Sequence, residues 1–150
     1  MGNKGGCYGE FSVATLDRKG NRYRYDSPNV ITFDMSRALS HLLVGDNAAN
    51  LAATFLAIGS GSTLAPIRSD TQLESEIVQI PFDSIVYLNS DTRVEINVLL
   101  DFVSPTNGFT LAEAGLVGGD ATTLLTRQLH VPITKDEDHQ VEYKWIIHFT

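Results

Sequence analysis

The sequence is poor in the residues that build covalent or metal-held frameworks, and poor in clustered positive charge. One cysteine, Cys7, stands among 150 residues, so no disulfide can close within the chain. A lone thiol beside a Gly-rich start reads as a small packing residue before a nucleophile. Lys and Arg number 11 against 18 Asp and Glu, a formal net charge of −7, and that balance repels phosphate backbones and anionic lipid. Only Arg18, Lys19, Arg22 and Arg24 lie close together, at what reads as a solvated hairpin end. No apolar run approaches the ~20 residues needed to span a bilayer. Residues 1–6 lack the apolar stretch of a secretory signal, and Gly6 stands where a myristoylation pattern needs Ser or Thr. These absences predict a soluble chain with neither a nucleic-acid nor a membrane partner.

What is present is ordinary for a globule: 43% apolar and 19% charged residues. The length predicts a single domain over residues 1–150 with a flexible segment at about residues 1–6. Residues 7–26 read as a hairpin, with Phe11 and Val13 alternating with polar neighbours and turn residues at 17–21. On its second strand Tyr23 and Tyr25 fall on one face, expected buried, and Arg22 and Arg24 on the other. Met35, Ala38, Leu39, Leu42 and Leu43 then fall on one face of a helix at about residues 33–44. Thr32 or Asp34 can cap it, and Gly45 suits its C-terminal end. An apolar run at 51–58 ends in Gly59-Ser60-Gly61-Ser62-Thr63, and an irregular stretch at 64–71 follows. The strongest strand patterns are 77–88 and 93–103, joined by a turn at Asn89-Ser90-Asp91, with Pro81 placed best at an edge or bulge. Residues 109–116 are ambiguous between helical turn and strand; 125–133 and 141–149 alternate clearly. Seven or eight strands and one helix predict a mostly β fold, an antiparallel β-sandwich or jelly-roll-like domain with one short α-helix.

No constellation carries chemistry. The Gly59–Thr63 run lacks the Lys and the following helix of a phosphate loop, so it reads as a connector. His41, His130, His139 and His148 are dispersed, without zinc-ligand spacing. Asp136-Glu137-Asp138 lacks the alternating ligands and glycine of a calcium loop and reads as solvated. Tyr23, Tyr25, Tyr143 and Trp145 could form a sugar platform, but their strand phase favours the core. Phe102, Tyr143, Trp145 and Phe149 are the expected core aromatics. No catalytic residue, metal or cofactor is expected, and the chain does not read as an enzyme.

Several segments in order carry a resemblance. They are Pro28-Asn29-Val30-Ile31-Thr32, then residues 56–66 around Gly59-Ser60-Gly61-Ser62-Thr63, then residues 69–77. Glu113-Ala114-Gly115-Leu116, Val131-Pro132-Ile133-Thr134-Lys135 and residues 143–149 complete the set. Over roughly residues 25–150 the chain resembles a broad group of small tailed-bacteriophage virion proteins, often tail or tail-fibre components. Gly59-Ser60-Gly61-Ser62-Thr63 stands where that pattern usually shows Gly-Thr-Gly-Thr-Thr. The resemblance implies a virion part made in the host bacterial cytoplasm, repeated as a homo-oligomer and contacting other virion proteins. Expected contact residues are Leu99, Val103 and Ile146 on outward phases, and Leu64, Pro66 and Ile67 in an arm at 64–71; residues 1–6 are a second arm. The rival expectation is a receptor- or glycan-binding tip module.

Overall fold

The computed structural model describes residues 6–150. Its elements run β1 (Cys7–Asp17), β2 (Arg22–Ile31), α1 (Phe33–Leu43), β3 (Ala53–Gly59), β4 (Glu76–Pro81), β5 (Ser84–Leu88), β6 (Arg93–Leu100), β7 (Thr110–Gly118), β8 (Thr126–Thr134) and β9 (His139–Phe149). All strand pairings are antiparallel, in one curled sheet of order β4-β3-β7-β8-β2-β1-β9-β6-β5. The fold is therefore mostly β with one short helix, as the alternation predicts, with nine strands among the described residues rather than seven or eight.

Two features shape the curl. β2 and β8 pair only at Val30–Arg127 and Ile31–Thr126, so the sheet nearly divides there. At the other side β4 and β5, its two edge strands, are joined by Phe82 and Asp83 alone. Four strands (β4-β3-β7-β8) thus share one core with five (β2-β1-β9-β6-β5). Leu56, Ile58, Leu111 and Leu116 from the first set cluster with Phe11, Val13, Ile96, Val98, Tyr143 and Trp145 from the second. A second cluster, Ala57, Leu73, Val117 and Leu124, buries the opposite face of the four-stranded half.

That double burial explains the ambiguity at 109–116. The segment is strand β7, and every residue after Thr110 is buried, so no alternation survives in the sequence. The run 77–88 is two strands rather than one; the chain turns at Phe82-Asp83, where the Asp83 carboxylate accepts the Leu99 N–H (2.5 Å). The 93–103 strand stops at Leu100. Asn89, Ser90 and Asp91 form the expected turn, all at positive φ (50°, 55° and 67°).

The helix is capped as anticipated by Thr32. Its Oγ1 accepts the Met35 N–H (3.3 Å) and donates to the Leu124 carbonyl (2.6 Å), so one hydroxyl both caps α1 and fastens it to the sheet. Only Met35 and Ala38 are buried and Leu39 partly so; Leu43, expected on the packed face, is 85% exposed. The helix touches the body through its first two turns, and its last turn stands clear.

Other expectations need correction. Tyr23 and Tyr25 are exposed, because β8 has left β2 before it reaches them. Tyr143 and Trp145 are core, but Phe149 is 40% exposed and Phe102 only partly buried, past the end of β6, under the Arg18 guanidinium 4.1 Å away. His148, on an outward phase, is buried: Tyr8 stacks on its ring at 4.3 Å and Glu10 bonds its Nε2 at 2.8 Å. Of the expected arm at residues 1–6, only Gly6 falls within the described residues, and it exchanges 2.9 Å backbone bonds with Thr150.

Candidate functional site

Three of the six segments behind the resemblance, residues 56–66, 69–77 and 113–116, meet at one buried cluster, which Arg127, outside all six, completes. Gly59 on β3 lies opposite Glu113 on β7, and Arg127 extends from the neighbouring β8. Glu113 is fully buried and Arg127 nearly so. The Glu113 carboxylate accepts from the backbone N–H groups of Gly61 (3.1 Å), Glu74 (3.0 Å) and Ser75 (2.6 Å), and from Arg127 Nε (3.2 Å) and Nη2 (3.1 Å). Arg127 also donates through Nη1 to Asp70 (2.9 Å) and through Nη2 to the Leu64 carbonyl (2.9 Å).

Glu74 forms the outer tier. Its carboxylate takes the N–H groups of Thr63 (3.0 Å) and Leu64 (3.1 Å) and the Thr63 hydroxyl. The Thr63 hydroxyl, the Leu64 and Thr63 amides and the Arg127 charge hold its pKa below the usual carboxylate value.

The glycines now have a reason. A Cβ on Gly59 would stand 2.5 Å from Glu113 Oε1 and from the Ser75 carbonyl; on Gly61 it would stand 2.6 Å from Glu113 Oε1. The glycine-rich run does cradle an anion, but that anion is the protein's own Glu113. Residues 64–71, expected to reach out as an arm, are instead fastened to the sheet at Leu64 and Asp70, because the buried Arg127 needs those acceptors. Spacing alone does not reveal this: Asp70 and Glu74 are close together, but Glu113 and Arg127 lie far from them in sequence and meet them only through sheet topology.

The cluster has little left to offer a reactant. A carboxylate has about four lone-pair sites, and Glu113 already receives five donors with no solvent contact. The arrangement fastens a loop over the second face of the four-stranded half.

Two smaller polar sites behave similarly. Lys135, buried, directs Nζ to Asn107 Oδ1 (2.6 Å) and to the carbonyls of Asp136 (2.7 Å) and Phe102 (3.4 Å), holding residues 102–107 in place. Burial pulls its pKa below the ordinary lysine value. His130 sits at the seam between β2 and β8, its Nε2 2.9 Å from the Tyr143 hydroxyl and its Nδ1 2.8 Å from the Val131 carbonyl. Burial lowers its pKa to about 4, and burial raises that of Tyr143. Asp136 is occupied by His139 (2.6 Å) and the Asp138 N–H. Among the described residues no three His, Cys, Asp or Glu side chains group as metal ligands, and no helix is long and apolar enough to cross a membrane.

The expected contact residues fall in separate places. Leu64 and Ile67 are exposed on the fastened loop, with Pro66 partly buried between them. Leu99 is exposed and Ile146 partly buried on the outer face of the five-stranded half, and Val103 is exposed beyond the end of β6. Compared with known proteins, the chain matches no family model, no curated protein and no solved structure.

Proposed function

We propose that the protein is a structural component of a tailed-bacteriophage virion, set as repeated copies on the tail, baseplate, neck or capsid surface. The observation that carries this reading is the meeting of three resemblance segments, residues 56–66, 69–77 and 113–116, at a saturated, buried fastening cluster. If the motif residues had lined an open cleft, they would have argued for recognition or catalysis. Their work here is to hold a long loop rigidly on a sheet, which is what a part built into a particle needs. Exposed Leu64, Ile67, Leu99 and Val103 then remain for itself and other virion proteins as neighbours.

The test is to purify the particle that encodes this chain, quantify the chain by mass spectrometry, and locate it by labelling. A fixed copy number per particle at one location is the expected result. A chain left behind in the lysate when particles are removed overturns the proposal. One observation favours the receptor- or glycan-binding tip instead: Tyr23 and Tyr25 stand exposed side by side on β2, and sugars stack on such rings. Glycan-array binding lost in Tyr23→Ala and Tyr25→Ala, with particle assembly intact, would favour that reading.

A further inference from the structure

The curled sheet has two edges, and they are treated differently. β4 ends in Pro81, which has no N–H to offer, begins with the charged Glu76, and has Gln79 tethered to Glu76 (3.2 Å) and to the Ala121 carbonyl (2.9 Å). β5 has none of these devices. Ser84, Ile85, Val86, Tyr87 and Leu88 are all exposed, and its register with β6 runs without a bulge. Among the described residues, nothing pairs with its free backbone side. Of the usual protections for an edge strand it has only shortness.

We infer that the free edge of β5 pairs antiparallel with β5 of a second copy of this chain, about a twofold axis through Val86. This rests on the repeated-copy reading above and names the contact. The strand is self-complementary in that register. Val86 meets Val86, Ser84 meets Leu88, and Ile85 meets Tyr87 twice, a β-branched–aromatic pairing that favours cross-strand association. For a chain of net charge −7, any copy-to-copy contact must avoid like charges. β5 carries none; the first charge beyond it, Asp83, is bound to the Leu99 N–H and would face Asn89. Glu95, beside Val86 on β6, is paired with Lys144 at 3.4 Å. A twofold contact uses the same surface on both copies and so closes on itself.

The experiment exploits the axis. The wild-type chain should run as a dimer in sedimentation, and Val86→Lys should run as a monomer, because the twofold sets two lysines face to face. Val86→Glu should also be monomeric. Mixing the two variants should restore a dimer containing one of each, which only a Val86–Val86 register allows. Val86 lies on the surface, so both variants should keep the wild-type circular dichroism spectrum and melting temperature. A monomeric wild type, a dimer that survives Val86→Lys, or a mixture that stays monomeric each overturns the contact. Should the chain be monomeric yet present in particles, the β5 pairing fails and the virion reading stands. A β5 dimer of a chain absent from particles would leave the pairing and remove the virion reading.

Discussion

The two halves of the sheet are built on different principles. The five-stranded half buries one face against the shared core and turns the other outward, and most of its charged pairs lie at the surface, as the Arg24–Asp26 pair does (2.8 Å). The four-stranded half is covered on both faces, and its second cover is a loop held by the buried Glu113–Arg127 pair. In one half apolar burial supplies most of the stability; in the other, stability is contingent on charges that have no water to fall back on. Ion pairs of similar length therefore have very different consequences on either side of the seam.

The largest expected effect is Arg127→Ala. Removing one partner of a buried pair costs about 3–5 kcal/mol, a large share of the ~5–15 kcal/mol that holds a typical domain. Urea unfolding should show that loss together with early protease cleavage within residues 60–75; a stable, uncut variant would erase the distinction between the halves. In the other half Trp145→Ala should cost a comparable ~3–5 kcal/mol, through the cavity it leaves beside Phe11, whose ring lies 4.5 Å away. Here the 60–75 loop should stay protected from protease until the whole domain unfolds.

At the seam, His130 makes stability depend on pH. Its folded pKa, about 4, lies below the ordinary 6.5, so the unfolded chain binds the proton more readily. The stabilisation is complete above pH 6.5 and falls away as pH drops toward 4, with a limiting slope of about 1.4 kcal/mol per pH unit. Melting temperatures across that window should flatten in His130→Gln; an unchanged slope would assign the dependence elsewhere. Glu74, whose folded pKa is depressed, adds a loss at still lower pH, below the ordinary carboxylate value. The smallest change compared is Arg24→Ala, expected within about 1 kcal/mol in the same denaturation assay, since its pair is open to water.

The same contrast governs what the residues disclose before folding. Strands β6 and β9 are legible because one face is wet, and the pattern 93–100 and 141–149 records it residue by residue. The helix is legible to within a residue at its ends because Thr32 and Gly45 mark them. β7 is not, since double burial removes the alternation, and β4 and β5 merge because apolar residues continue on both sides of a two-residue corner, although Pro81, Asp83 and Ser84 are turn formers. Tyr23 and Tyr25 have a buried strand's phase, and only the parting of β2 from β8 exposes them. Of the fastening cluster, the glycines and acids are visible as segments, but their meeting depends on the order of strands, which no local pattern encodes.

Strand β9 lies between β1 and β6, although it follows both in the chain. Chain synthesis therefore completes β1 and β6 before β9, the strand that pairs with both, exists. Pairings such as Cys7 with Phe149 close very long loops, and chains dominated by such contacts fold slowly. Trp145, the sole tryptophan, sits in β9 against both neighbours, opposite Phe11 on one side and Ile96 on the other. Its fluorescence reports the arrival of that strand directly. In refolding of the whole chain, where β9 is present from the start, the Trp145 signal and the β signal in circular dichroism should rise together; a lag at Trp145 would show that β9 docks late between two formed neighbours.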